Sequence, residues 1–352
     1  MANGRAGKLS LGVRFPLLEK NEYARIWFEI RVNLQSPPNT LLSYAHDLDD
    51  FLGYCVAHQL ALPDLKLKQI SEYVNELSRR PAPVLGNNRR NRRTEIGLAP
   101  ATVRRRLSTV RQFFDFLCGE GVCTRNPVRR SGLADRRRSL IPVYVNLPWI
   151  PDDAEWSRII DVVLSRSLRD RSMFALSYDT GLRKEELCGL QLGDFDHANR
   201  TVLVRAEITK SRRARVVPYG QATNALLARY FETLPFCVLN NESIFRSESR
   251  RNAGAPITMH TWTKVIESVA FEAQVPEFHP HTLRHLCLTD LARSGWDLLQ
   301  IRDFAGHKSV KTTEQYIRLS GRDLVEQYRK TITGLHSRRV AMLSMVFGAM
   351  PL

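Results

Sequence analysis

Apolar side chains recur at helical spacing along the first third of the chain. The clearest stripes cover residues 41–55 and 103–117, and shorter ones cover residues 23–32 and 67–77. Because positions three and four apart share one face of a helix, each stripe predicts an amphipathic helix. Residues 19–123 are therefore predicted to form a small helical domain.

The pattern changes after residue 123. Residues 124–150 contain an Asn-Pro pair and two arginine clusters but few apolar positions, which indicates a linker. Residues 201–205 and 215–219 are rich in β-branched side chains and predict the two strands of a hairpin. Apolar periodicity elsewhere in this part predicts helices, with patterns at 153–178, 183–192, 221–234, 260–273, 282–294 and 297–305.

These elements predict a two-domain protein that is mainly α-helical with one small antiparallel β-sheet. The helical domain at 19–123 follows an extension at residues 1–18, and the mixed domain with the hairpin occupies residues 151–330. Residues 331–352 remain as a C-terminal tail. Its apolar end, VAMLSMVFGAMPL, is too short to cross a bilayer, so covering its own domain is one interpretation of it.

The cellular location is predicted from the absence of a secretion signal and of a membrane span in the sequence. The N-terminus has no apolar run of a secretion signal, and no apolar stretch approaches the roughly 18 residues that a membrane span needs. The six cysteines include no CxxC pair, which favours small core residues in a reducing compartment. We therefore expect a soluble, cytoplasmic protein without a membrane partner.

The charge balance points to a polyanion. Lys and Arg number 52 against 36 Asp and Glu, a formal net charge of +16. Neutralising phosphates releases counterions, so double-stranded DNA is the expected partner, with nonspecific acidic partners as the alternative. The loop at 79–93 is either a solvated insertion or a DNA contact. The candidate DNA-binding residues are Arg89, Arg90, Arg92, Arg93, Arg104, Arg105, Arg106, Arg212 and Arg213.

The segment 279–316 carries the most chemical information. His281 and His285 have the four-residue spacing of a metal-binding pair, with His279 close by. However, Arg284 lies between them, and a guanidinium beside a dication is electrostatically unfavourable. An arginine beside a neutral histidine suits a phosphate better, so no metal is predicted. His279 and His285 are interpreted as incidental, at or near a helix cap.

Several short motifs follow one another in a recognisable order. They are Thr180-Gly181-Leu182-Arg183 with Glu186, Thr209-Lys210-Ser211 followed by Arg215-Val-Val-Pro218, His281-Thr-Leu-Arg284, Ala305-Gly306-His307, and Thr312-Thr313-Glu-Gln-Tyr316. This ordered set resembles the signature of the tyrosine recombinases of the phage-integrase kind, strongly over residues 151–325. The resemblance implies a clamp of two domains, a helical core-binding domain and an α+β catalytic domain. Two departures stand out: many relatives have Gly-Lys-Gly at the hairpin, and Ala305 replaces a bulkier residue.

The residue types in this set suit cleavage of a phosphodiester without a metal. Tyr316 is the candidate nucleophile, and His281 the candidate acceptor of its proton, since imidazole titrates near neutral pH. Arg183 and Arg284 stay charged and can hold the phosphate oxygens. The resemblance implies that Lys210 protonates the leaving 5′ oxygen and that His307 donates a hydrogen bond to the phosphate. Glu186 is interpreted as a supporting or helix-capping residue.

The resemblance also implies a 3′-phosphotyrosyl intermediate that is rejoined without ATP, metal or other cofactor. The expected assembly is a dimer on each site and a tetramer in synapsis, with the C-terminal tail exchanged between protomers. The expected role is integration or excision of a mobile element, and accessory proteins are unknown. Three alternatives stay open: a type IB topoisomerase-like enzyme, a catalytically silent DNA-binding relative, and a metal-dependent nuclease.

Overall fold

The computed structural model describes residues 14–80, 97–128, 147–235 and 239–319, with only the backbone for 317–319. The chain divides into two compact units, Met1–Val145 and Asn146–Leu352. Arg89, Arg90, Arg92, Arg93 and the tail at 331–352 lie outside the described residues, so the predictions on them stay predictions. None of the helices in the described ranges combines the length and hydrophobicity that a membrane span requires.

The described part of the first unit is helical, as predicted. Its helices are α1 (Pro16–Lys20), α2 (Glu22–Asn33), α3 (Pro38–Ala57), α4 (Leu67–Arg79) and α5 (Pro100–Gly119). Helices α3 and α5 both begin on a proline, which tolerates the first helical position because that N–H has no intrahelical partner. The apolar stripes meet in one core, where Trp27, Phe51 and Phe114 are almost completely buried.

The second unit combines helices with a small sheet, which confirms the predicted fold class. Its elements are α6 (Asp153–Leu164), α7 (Leu168–Thr180), α8 (Lys184–Cys188), β1 (Phe195–Asp196), β2 (Thr201–Val204), β3 (Arg215–Pro218), α9 (Gln221–Glu232), α10 (Met259–Glu272), α11 (Pro280–Arg293), α12 (Leu298–Ala305) and α13 (Glu314–Leu319). The helical pattern at 153–178 is divided in two, since Ser167 caps the start of α7 by accepting from the backbone N–H of Asp170.

The sheet has the order β1-β2-β3 with antiparallel neighbours. Val202 pairs with Val217, and both valines are buried together with Val204 on the face that meets the helices. Alternation along β2 puts every second side chain into this core. Strand β1 was not predicted, because two residues are too few to show a period.

Two glycine turns determine where the site residues follow their helices. Helix α7 ends at Gly181 and α12 ends at Gly306, and both glycines have left-handed backbones with φ of 55° and 62°. A Cβ at Gly306 would also come within 2.8 Å of a guanidinium nitrogen of Arg215. A side chain at position 306 would therefore add both backbone strain and a clash. Arg183 and His307 come directly after these two turns.

Candidate active site

A buried carboxylate, Glu186, organises one side of the site. Arg183 Nη1 donates to its Oε1 at 2.9 Å, and the backbone N–H of Arg183 donates to its Oε2 at 3.0 Å. Arg215 Nη2 donates to Oε2 at 2.8 Å, and Thr209 Oγ1 donates to Oε1 at 2.9 Å. Burial acts to raise the pKa of Glu186, but the guanidinium of Arg215 and then Arg183 lower it to about 2. Glu186 thus fixes Arg183, which directly precedes α8, and Arg215 from β3.

The guanidinium of Arg284 is the most enclosed cation of the site. Arg284 lies on α11 with 3% of its surface exposed. Its Nη1 donates to the carbonyl oxygen of Gly181, and its Nη2 donates to that of Ala305 at 2.7 Å. Burial, together with the charge of Arg183, lowers its pKa to about 10, so it remains charged at neutral pH. The side chain of Arg284 therefore connects the C-terminal ends of α7 and α12.

His307 is bonded to Arg284. Arg284 Nη2 lies 2.8 Å from His307 Nε2, and His307 Nδ1 lies 3.0 Å from the hydroxyl of Thr313. A guanidinium only donates, so Nε2 accepts and the imidazole proton is on Nδ1, facing Thr313. Burial, followed by the charge of Arg284, lowers the pKa of His307 to about 3. The expected hydrogen bond from His307 to a phosphate therefore requires this pair to rearrange, and it stays a prediction.

Tyr316 lies beside this pair, with 2% of its surface exposed. Its ring stacks on that of His307 at 6.1 Å between centroids and 6° between planes. Its hydroxyl is 3.1 Å from Nδ1 of His285. Burial raises the pKa of Tyr316, while the charges of Arg284 and Arg183 act to lower it. The candidate nucleophile is thus held between two imidazoles close to the candidate phosphate-binding arginine.

The partner of the Tyr316 hydroxyl is a residue that the sequence interpretation had set aside. His285 makes the contact, whereas the side chain of His281 is exposed and its ring centroid lies 6.4 Å from that of His285. The spacing of four residues puts both histidines on related faces of α11, so spacing alone could not choose between them. His279 caps α11, as interpreted, since its backbone N–H donates to Thr282 Oγ1 at 3.1 Å.

Lys210 lies in the loop that joins β2 to β3, and its side chain is exposed. The loop is anchored on either side of it: Thr209 binds Glu186, and the hydroxyls of Thr209 and Ser211 are 3.0 Å apart. The two hydroxyls that stand where many relatives have glycines therefore take part in fixing the turn. Arg212 has a left-handed φ of 56° and donates its backbone N–H to the carbonyl of Thr209.

The described candidates for DNA binding fall into two kinds. Arg212 and Arg213 are exposed beside Lys210. On α5, by contrast, Arg105 donates to the buried carboxylate of Asp47, and Arg106 Nη1 lies 2.6 Å from Asp50 Oδ2. Arg106 is the less accessible of these two, with 18% of its side chain exposed against 47% for Arg105. Arg104 is half-buried on the same helix.

The histidines at the start of α11 do not form a metal centre in this structure. Within the described ranges, no group of three or more His, Cys, Asp or Glu side chains is arranged to hold a metal ion. The rings of His279, His281 and His285 are mutually 6.4 to 6.5 Å apart between centroids.

The low pKa of His307 predicts an acid-sensitive contribution to stability. In the unfolded chain His307 takes up a proton near pH 6.5, but in the fold it resists protonation until about pH 3. Acidification through this window therefore favours the unfolded state. We expect His307→Gln, which keeps an acceptor for Arg284, to be about 1 kcal/mol less stable than the parent at pH 7.5. Its deficit should shrink at pH 5.0 in urea unfolding. A deficit that grew on acidification would contradict the assignment.

Together these contacts describe a tyrosine hydroxyl set among fixed guanidinium groups and neutral histidines. Arginine side chains bind phosphate oxygens, and a phenol can attack phosphorus, so the arrangement suits phosphoryl transfer to a tyrosine.

Comparison with known proteins agrees with this class. The Phage integrase family matches residues 152–322, and the phage integrase N-terminal SAM-like domain matches residues 29–121. A tyrosine recombinase XerC of Thermodesulfovibrio yellowstonii is 27% identical over 309 residues, which cover 86% of this chain and 93% of that protein. A tyrosine recombinase of Thermosipho africanus is 28% identical over 292 residues, covering 83% and 93%. The chain therefore belongs to the phage integrase family of tyrosine recombinases.

Solved structures agree in fold. The XerH site-specific recombinase bound to a palindromic difH substrate has a TM-score of 0.63 at 18% identity, over 82% of this chain and 79% of that one. The Tn1549 transposon integrase in complex with transposon right end DNA has a TM-score of 0.62 at 16% identity, over 85% and 98%. A lambda integrase dimer bound to a core site has a TM-score of 0.60 at 18% identity, over 84% and 93%.

Proposed function

We propose that this protein is a site-specific DNA recombinase whose nucleophile is Tyr316. The observation that carries the proposal is the position of the Tyr316 ring, which stacks on His307 while His307 accepts a hydrogen bond from Arg284. A phosphate that binds Arg284 would lie close to the phenol oxygen. Effective attack requires this kind of prior alignment of nucleophile and phosphorus.

The reaction exchanges one phosphate ester for another. The Tyr316 oxygen forms a bond to phosphorus, and the bond from phosphorus to the 5′ oxygen breaks, which leaves a 3′-phosphotyrosyl ester. A histidine of the site takes the phenolic proton, and Lys210 gives a proton to the departing 5′ oxygen. Arg183 and Arg284 hold the nonbridging oxygens while charge shifts onto them. Because the ester is retained, a 5′ hydroxyl from another strand can reverse the step without ATP.

The assembly of the protein on DNA is inferred from proteins of similar fold. Solved recombinases of this fold are described as bound to DNA substrates, including a lambda integrase dimer on a core site. We infer that this chain binds double-stranded DNA as a dimer on each site and as a tetramer when two sites pair. Residues 19–123 would form the core-binding domain, 124–150 the linker and 151–330 the catalytic domain of a clamp around the duplex. A net charge of +16 supports this partner, and the likeness to the Tn1549 transposon integrase supports a mobile-element role.

Trapping the covalent intermediate tests the proposal. End-labelled duplexes that cover the ends of the DNA element encoding the protein are incubated with it and quenched in denaturant. We expect a protease-sensitive band of low mobility on a denaturing gel. Tyr316→Phe should abolish the band, because phenylalanine has no oxygen to attack phosphorus.

Tyr219→Phe is the matched control. Tyr219 lies in the same unit, and its buried hydroxyl has no hydrogen-bond partner among the described residues, so its removal should leave the adduct unchanged. An adduct that persists in Tyr316→Phe would overturn the assignment of the nucleophile.

A further inference from the structure

We propose that His285 is a positioning residue that fixes the nucleophile by accepting the hydrogen bond of the Tyr316 hydroxyl at Nδ1. The inference rests on the proposed function and adds to it a residue outside the set predicted from the sequence. His285 Nδ1 and Tyr316 Oη are 3.1 Å apart, and the ring centroids are 5.7 Å apart.

The hydrogen bond to His285 fixes the direction of the Tyr316 O–H bond, which packing of the ring leaves free. The stack of Tyr316 on His307 sets the plane of the ring, and burial against Cys287, Ile301 and Ala305 restricts its translation. Neither contact acts on the direction of the O–H bond, because a hydroxyl hydrogen rotates about its C–O axis. An acceptor at a defined place selects one orientation of the hydroxyl and therefore of its lone pairs. His285 Nδ1 supplies that acceptor.

The protonation state of His285 supports this role. Burial, followed by the neighbouring His281, lowers the pKa of His285 to about 4, so the imidazole is neutral in the physiological range. A neutral imidazole has one donor and one acceptor nitrogen, and we assign Nδ1 as the acceptor because a phenol hydroxyl is a better donor than acceptor. The remaining proton is then on Nε2. The hydrogen bond from Tyr316 thus persists unless the solution becomes strongly acidic.

A single helix, α11, can position both the phosphate-binding guanidinium and the nucleophile. Arg284 and His285 are consecutive on α11: the first binds Ala305 and His307, and the second binds Tyr316. Their separation is set by the backbone of one helix, whose geometry is locally rigid. The distance between the phosphate-binding guanidinium and the attacking oxygen is therefore controlled by two neighbouring side chains, independently of the exposed His281.

Substituting His285 by asparagine and by glutamine distinguishes a correctly placed hydrogen-bond acceptor from a side chain that is merely polar. In His285→Asn the amide oxygen can occupy the place of Nδ1, whereas in His285→Gln the longer side chain carries its oxygen near the place of Nε2. The readout is the single-turnover rate of covalent adduct formation with saturating element-end DNA. We expect the asparagine variant to stay within about 10-fold of the parent, and the glutamine variant to fall on the order of 100-fold, the cost of a misplaced reacting group.

His279→Asn serves as the control at the start of the same helix. His279 caps α11, and asparagine is also a good helix cap, so the adduct rate should remain that of the parent. DNA affinity, measured by mobility shift, should be unchanged in all three variants, which shows that each is folded. Equal rates for the asparagine and glutamine variants, both fast or both slow, would overturn the role of His285. A parent protein that formed no adduct at all would refute the proposed function instead.

Discussion

Replacing Glu186 with glutamine is expected to destabilise the second unit by about 3 kcal/mol, because it removes the charge that balances a buried guanidinium. Only 9% of the Arg215 side chain is exposed, and Arg215 has two hydrogen bonds to Glu186. A glutamine offers one oxygen where the carboxylate offered two, and its NH₂ group would face donors. Breaking a buried pair on one side costs more than the pair itself contributes, since the remaining charge cannot reach water.

The same substitution should slow adduct formation by more than the loss of folded protein explains. Glu186 also holds Arg183 and Thr209, so its removal releases a candidate phosphate ligand and the loop that carries Lys210. Urea unfolding measures the stability, and single-turnover adduct formation on the folded fraction measures the rate. The matched control is Glu185→Gln, which removes an exposed carboxylate one residue earlier and should change stability by less than about 0.5 kcal/mol.

The low pKa of Glu186 predicts how the stability difference between the parent and Glu186→Gln changes with pH. The folded pKa of about 2 lies below the ordinary value of 4.5, so the carboxylate stabilises the fold above pH 4.5 and loses that effect as the pH falls toward 2. The gap in stability between the parent and Glu186→Gln should therefore narrow on acidification below pH 4.5. A gap that is constant from pH 7 to pH 3 would mean that the carboxylate is not the source of the difference.

The helices were predictable because their periodicity is a local property. The stripes at 41–55 and 103–117 correspond to α3 and α5, and the proline at the start of each helix agrees with the chemistry of a first turn. The split of 153–178 into α6 and α7 was not predicted, since the break is only the short polar run Ser165-Arg166-Ser167 between apolar segments, and the Ser167 cap marks it. Strand β1 has two residues and exists through its pairing with β2.

The site was predictable as a set of residues but not as a set of contacts. Motif order brought out Arg183, Arg284, His307 and Tyr316. The structure links the last three through one hydrogen bond and one ring stack, and it bonds Arg183 to Glu186. Motif order could not show which histidine meets Tyr316, because that depends on how α13 packs against α11. Nor did it reveal Arg215 as a partner of Glu186, a pairing between residues 29 positions apart.

Charge alone did not show which arginines of α5 form ion pairs within the fold. The run Arg104-Arg105-Arg106 was predicted to face DNA, yet Arg105 and Arg106 pair with Asp47 and Asp50 from another helix. Asp47 is completely buried, and burial raises its pKa while Arg105 acts to lower it. A buried carboxylate must be paired, so part of the positive charge on α5 stabilises the fold of the first unit. The exposed Arg212 and Arg213 do not have this constraint and remain the better candidates for phosphate contact among the described residues.

Substitution of Arg284 by lysine is expected to lower the rate of adduct formation about 1,000-fold, although the positive charge is kept. The guanidinium donates to Gly181 and Ala305 and also to His307, in directions that a planar fork supplies and an ammonium group does not. Lysine would leave a buried carbonyl or the imidazole without its donor, which should also lower stability by about 2 kcal/mol. Arg293→Lys, at the exposed end of the same helix, keeps a charge beside Asp290 and should change neither quantity appreciably. A parental rate in Arg284→Lys would show that charge alone suffices. A large loss would show that the reaction requires the donor directions of Arg284, which are fixed by its hydrogen bonds at the ends of α7 and α12.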